Sequence, residues 1–128
     1  MTVVAEDTRV LIVDDNPLNL KLTRLVLKQA GYAVETAFDA ESALEVLKVF
    51  EPALILMDLQ MPGMDGFELT RRLKSDPATR HIIIVALTAY AMKGDAQRAF
   101  AAGCDGYIAK PVNTRSLADQ VKAYLNPS

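Results

Sequence analysis

The chain of 128 residues has a single cysteine, Cys104, so it cannot form an internal disulfide, and a reducing compartment is expected. It also lacks an excess of basic charge. Its 14 Lys and Arg stand against 16 Asp and Glu, for a net charge of -2. Without a bulk positive field, no nucleic-acid partner is expected. No apolar run approaches the ~20 residues of a membrane helix, and the N-terminal MTVVAEDTR lacks the apolar core of a signal peptide, so no membrane association is expected. Internal repeats, low-complexity tracts and linkers are absent too. These absences point to a soluble protein of the cytoplasm, built as one domain with its core at about residues 8–125 and no output domain after it.

The chain is rich in material for a core. Hydrophobic residues make up 51% of it, and a chain of this length buries roughly two-thirds of its unfolded surface without help from a metal or disulfide. Five short apolar runs alternate with segments of helical period: RVLIVDD (9–15), AVETA (33–37), ALILMD (53–58), IIIVALTA (82–89) and GYIAK (106–110). The first, third and fourth are nearly continuous in Val, Ile and Leu, the pattern of parallel strands covered on both faces by helices.

Punctuation between the runs predicts the helices. Asn16-Pro17 supplies a cap and a first-turn proline, and Leu18, Leu22, Leu25 and Val26 follow at helical spacing as the apolar face of helix one, which Gly31 stops. Helix two starts near Asp39, with Ala43, Leu44, Leu47 and Phe50 on one face. Helix three opens at Asp65, with Glu68 at capping-box spacing, and ends before Pro77. Helix four runs from about Lys93 to Ala102 with Gly103 as its stop. Helix five follows Asn113, with Leu117, Val121 and Leu125 in register and Pro127 beyond. Five strands alternating with five helices predict a doubly wound α/β domain. Right-handed crossovers leave few strand orders, and 2-1-3-4-5 is the common one for this count and the one expected. In that order the crevice opens at the carboxyl ends of strands one and three.

Those two ends carry charge. Strand one runs into Asp14-Asp15 and strand three into Asp58, just before a Pro62-Gly63 turn. Three neighbouring aspartates repel one another unless a hard cation sits among them, and magnesium, which takes few carboxylates and keeps water, suits the set better than calcium. Strand four ends at Thr88 and strand five at Lys110-Pro111, adding a hydroxyl and an ammonium to the same edge. A carboxylate, a metal site and a lysine together suit phosphoryl transfer onto an aspartate. Taken singly, each residue has a plainer reading. An Asp after a strand forms a turn or caps a helix, Thr88 is a strand former, Lys110 is a surface lysine, and Tyr107 is a half-buried strand aromatic. Their joint placement on one edge favours the chemical reading.

Two other functions compete. A flavin or nucleotide module on this architecture needs a glycine-rich phosphate loop after strand one, where this chain has Asp-Asp-Asn-Pro. An aspartate-nucleophile phosphohydrolase commonly carries Asp-x-Asp after the first strand, whereas here the pair is adjacent.

The segments LIVDDN (11–16), LILMDLQMPGMDGFEL (54–69), VALTAY (85–90) and GYIAKPV (106–112), in this order and spacing, resemble the response-regulator receiver domains, the CheY-like family, over essentially the whole chain. TAYAMKGD with AAGCDGYIAKPV looks most like the stand-alone regulators of the DivK kind, while DDNPLNLKL is frequent in receivers of hybrid sensor kinases. The resemblance implies a flavodoxin-like fold and a phosphorelay switch that catalyses only its own phosphorylation and dephosphorylation. It implies Asp58 as phosphoacceptor and Asp14 and Asp15 as the acidic pair. Mg2+, with Mn2+ able to substitute, would be held by Asp15, Asp58 and the main-chain carbonyl of Gln60, with Asp14 acting partly through water. Lys110 would meet the phosphoryl oxygens ahead of a cis Pro111. Thr88 and Tyr107 would form the switch pair, Ala89 would leave access to the aspartate, and Gln60 and Tyr90 would tune the acyl-phosphate lifetime.

The implied donor is a sensor histidine kinase or a histidine phosphotransfer protein. The implied output is a protein target docking on helix four, strand five and helix five of a monomer or weak dimer. Ala91, Met92, Phe100, Tyr107 and Val112 are the contact candidates there, Met92 and Phe100 being equally readable as core. His81, before strand four, is expected to lie far from the crevice.

Overall fold

The computed structural model describes residues 8–61, 65–89 and 94–126. The expected Pro62-Gly63 turn, the start of helix four at Lys93, Pro127, and the candidates Tyr90, Ala91 and Met92 lie outside the described residues.

Five strands, β1 (Arg9–Val13), β2 (Ala33–Ala37), β3 (Leu54–Asp58), β4 (Ile83–Thr88) and β5 (Gly106–Ala109), form one parallel sheet in the order β2-β1-β3-β4-β5. Helices α1 (Pro17–Gln29), α2 (Ala40–Leu47), α3 (Gly66–Ser75), α4 (Asp95–Ala102) and α5 (Leu117–Leu125) connect and follow them. The continuous apolar runs resolve into alternating faces. Val10, Ile12, Leu54, Leu56, Val85 and Leu87 pack with Leu27 of α1 and Leu117 and Val121 of α5. Leu11, Val13, Ile55, Met57, Ile84 and Ala86 pack with α2, α3 and α4 through Ala43, Phe67, Leu69 and Ala99. Every residue of β3 is buried, Asp58 included.

Local chemistry explains the helix ends. Asn16 Oδ1 accepts from the N–H groups of Leu18 and Asn19 at 3.0 and 3.1 Å, and Pro17 occupies the first turn. Asp65 Oδ1 accepts from the Glu68 N–H at 3.0 Å. At α2 the reciprocal box forms between Asp39 and Ser42, the serine doing what a glutamate does elsewhere. Gly31 and Gly103 take φ of 101° and 112°, left-handed values that a β-carbon disfavours, and so end α1 and α4.

Helix α1 corrects its predicted face at three of four positions, Val26 alone packing inward as expected. Leu18, Leu22 and Leu25 are 73%, 40% and 53% exposed, while the inward side is Leu20, Thr23, Val26 and Leu27. Both stripes satisfy a helical period because leucines stand on both sides of the cylinder, so spacing alone cannot choose between them. Full burial of Leu27 is worth roughly 2 kcal/mol, and the outward leucines forgo most of that. Helix α5 also begins later than predicted, at Leu117. The Asn113 side chain first accepts from the Arg115 N–H at 2.9 Å, and its carbonyl accepts from Leu117, making a turn of residues that composition alone assigns to the helix.

Candidate functional site

The sheet's hydrogen bonding runs one residue past several strands, and this sets the site's walls. The Asp14 N–H donates to the Ala37 carbonyl (3.1 Å), Leu59 to Leu87 (3.1 Å) and Lys110 to Thr88 (2.8 Å). Asp14, Asp58, Thr88 and Lys110 therefore stand side by side at the carboxyl edge. The approach is close behind Asp58 as well. A β-carbon on Gly66, the first residue of α3, would run into the Asp58 carbonyl oxygen and sit 2.9 Å from Leu59 Cα, so only glycine lets α3 start there.

Asp14, Asp15 and Asp58 each offer a carboxylate oxygen, and these atoms lie within 4.8 Å of one another. Asp14 and Asp58 are 2% and 1% exposed, whereas Asp15 faces solvent at the rim. Asp14 Oδ1 is occupied by the Asn16 N–H at 2.9 Å. Asp58 Oδ1 accepts from Lys110 Nζ at 2.8 Å and from the Gln60 N–H at 3.1 Å. Asp58 Oδ2 is buried with no hydrogen-bond partner among the described residues. Such an oxygen costs stability unless something binds it.

The electrostatics agree. Burial pushes the Asp58 carboxyl above the usual carboxylate range; the Lys110 ammonium pulls it down, the Asp14 charge pushes it up again, and the Gln60 N–H opposes the rise. Asp15 is raised by desolvation first and then by the neighbouring Asp58 carboxylate. A set of oxygen donors with crowded negative charge and one unpartnered buried oxygen fits a hard divalent cation. Asp14, Asp15 and Asp58 are placed so that each can offer such an ion one carboxylate oxygen.

Of the remaining predicted residues, Thr88, Ala89, Lys110 and Val112 lie beside this centre. Thr88 is fully buried at the end of β4, but its hydroxyl donates to Asp95 Oδ2 at 2.9 Å. Ala89 is exposed beside it and, with Asp14, Asn19, Thr23, Lys110 and Val112, lines a cleft of ≈ 210 Å³ next to the acid cluster. The Lys110–Pro111 peptide bond is cis. Tyr107, 38% exposed on β5, meets the Phe100 ring edge-on with centroids 6.2 Å apart, and its carbonyl accepts from the Tyr124 hydroxyl at 3.2 Å. His81 is outside the site, its Nε2 3.0 Å from Glu51 at the opposite edge.

Sequence reasoning missed Asp95. An acid in the first turn of a helix reads as favourable to the helix dipole, and nothing in the spacing shows that it is 6% exposed and turned toward β4.

Residues 10–122 match the response regulator receiver domain family. The chain is a receiver domain of that family. It is 42% identical over 116 residues to the polar-differentiation response regulator DivK of Brucella anthropi, a span covering 91% of this chain and 94% of that protein. Among solved structures, the chemotaxis response regulator CheY4 of Vibrio cholerae superposes with a TM-score of 0.85 at 30% identity, over 91% of this chain and 98% of that one. The receiver domain of a sensor histidine kinase from Pseudomonas aeruginosa, solved with a magnesium ion coordinated in its active-site cleft, gives 0.83 at 31% identity, over 92% and 97%. The function is that of a response-regulator receiver in two-component phosphorelay, a signalling switch and not a conventional enzyme, and the acidic cluster fits the phosphorylation site. The flavin and phosphohydrolase alternatives give way to it. Among the described residues no helix is long and apolar enough to cross a membrane.

Proposed function

We propose that Asp58 is the phosphoacceptor, and the unpartnered Oδ2 carries this reading. Lys110 and the Gln60 N–H hold Oδ1, which fixes the carboxylate and leaves Oδ2 as the nucleophile. The donor is a phosphohistidine on a sensor histidine kinase or a histidine phosphotransfer protein. Oδ2 uses an electron pair to form the O–P bond of an acyl phosphate, the P–N bond breaks, and the imidazole leaves with that bond's electron pair and takes a proton from solvent. Lys110 is placed to offset the charge spread over the phosphoryl oxygens. Mg2+, or Mn2+ in its place, held by Asp15, Asp58 and the Gln60 carbonyl with Asp14 acting partly through water, supplies further positive charge when bound.

Phosphorylation replaces the single carboxylate charge by a phosphoryl group of about -1.5 to -2 charge with several acceptors, and these favour a state in which the Thr88 hydroxyl turns toward Asp58 and Tyr107 moves inward. Phe100 on α4 and Tyr107 on β5, 51% and 38% exposed, are contact candidates for a protein target of this receiver, with Val112 in the stretch between β5 and α5 as a further one, on a monomer or a weak dimer. The cytoplasm, where histidine kinases present their phosphorylated domains and a lone Cys104 stays reduced, is the proposed compartment.

Incubation with acetyl phosphate and Mg2+, followed by intact-mass measurement, tests the reading. The expected outcome is one phosphoryl group on the wild type and none on Asp58→Asn with the fold intact. Labelling of Asp58→Asn at the wild-type level contradicts it.

A further inference from the structure

Asp95 is the first residue of α4 and is 6% exposed. Its Oδ2 accepts two hydrogen bonds, from the Gln60 side-chain Nε2 at 2.7 Å and from the Thr88 hydroxyl at 2.9 Å. Arg98 Nη1 approaches its Oδ1 at 3.5 Å, and the guanidinium lies 4.2 Å over the Phe67 ring, which anchors it. One carboxylate therefore ties together the loop two residues beyond Asp58, the end of β4 and the first turn of α4.

We infer that Asp95 is a positioning residue for phosphoryl transfer to Asp58, holding the Thr88 hydroxyl and the Gln60 carboxamide away from the acceptor until the phosphoryl group competes for the threonine. The inference rests on the reading of Asp58 as phosphoacceptor.

A hydroxyl carries a single proton, and the Thr88 proton is committed to Asp95. A phosphoryl oxygen on Asp58 can take it only by breaking a buried, charge-assisted bond, which is the strong kind. Among the described residues Asp95 then keeps the Gln60 bond and the distant Arg98, so the tie between the end of β4 and the first turn of α4 is lost. The same competition runs backwards. Whatever weakens the Asp95 grip favours the inward threonine, and by linkage favours phosphorylation. This puts the coupling between the acid cluster and the α4 face in one side chain.

The alternative role is purely structural, an acid at a helix N-terminus that steadies α4. Initial rates of labelling by acetyl phosphate with Mg2+ separate the two. Asp95→Ala should label about tenfold faster than wild type, a coupling of ordinary allosteric size. Asp95→Asn, nearly isosteric and still a neutral acceptor, should give a smaller rise and guards against failure of the alanine variant to fold. In a Thr88→Val background, whatever its own basal rate, the acceleration from Asp95→Ala should vanish because the carboxylate has no threonine to hold. Unchanged or slower labelling of both Asp95 variants overturns the inference, as does an acceleration that persists in Thr88→Val. In either case a labelled wild type leaves the Asp58 reading standing. An unlabelled wild type removes that reading, and this inference with it.

Discussion

The two ends of the sheet carry the same kinds of side chain under opposite conditions. At the carboxyl end Lys110 meets Asp58 at 2.8 Å, with the aspartate side chain 1% exposed. At the amino end His81 meets Glu51 at 3.0 Å, with side chains 54% and 69% exposed. The distances are nearly the same, so burial is what separates the pairs. The amino end also has the larger cleft, ≈ 460 Å³ between Arg9, Phe50, Glu51 and Ile82, but the described residues that line it include no buried charge. Asp14, Asp58, Thr88 and Asp95, all nearly buried, gather at the other end. Keeping carboxylates out of water costs several kcal/mol per ion if nothing compensates, so a fold retains them where chemistry needs them. Burial of charge, and not the size of the cavity, marks the working end.

Removing Lys110 should widen that contrast most. Lys110→Ala keeps the aspartates proposed to hold Mg2+ and should still bind the ion, but labelling by acetyl phosphate should slow by about a hundredfold, the usual cost of losing one donor to developing charge. Its switch-dependent partner binding should be lost as well. A labelling rate within a fewfold of wild type would return Lys110 to the class of surface lysines.

The next effect is in pH. Because the folded Asp58 carboxyl is raised, mainly by burial, the native state holds its proton at pH values where the unfolded chain has released it. Stability measured without divalent cations should therefore fall as pH rises from the ordinary carboxylate value through the raised one. Denaturant midpoints across that range should show the slope in wild type and a smaller one in Asp58→Asn. An equal slope in both would assign it to other groups. The smallest effect belongs to the amino end. Glu51→Gln alters an exposed contact with His81 and should change stability by no more than about 0.5 kcal/mol, with labelling unaltered. A measurable loss of labelling would break the comparison between the ends.

What could be read from the residues follows the same division. Strand ends were legible because a charge after a buried apolar run, as at Met57-Asp58, has few bland explanations in combination with Asp14 and Lys110. Helix starts were legible where a side chain caps its own neighbours, as at Asn16-Pro17. The outward face of α1 was not, since Leu18, Leu22 and Leu25 match the helical period as well as Leu20, Thr23 and Leu27 do. Only the packing of α1 on β1 and α5 decides between them. Asp95 was hidden for a related reason. Its role depends on partners 35 and 7 residues away in the chain, and no local pattern encodes such a meeting.

A titration with Mg2+ followed through amide NMR signals tests the central claim most directly, because both ends of the sheet report in one experiment. The account predicts shifts at Asp14, Asp15, Asp58 and Gln60, none at Arg9, Glu51 or His81, and loss of the response in Asp58→Asn. Silence at those aspartates, or a stronger response at the amino end, would contradict it.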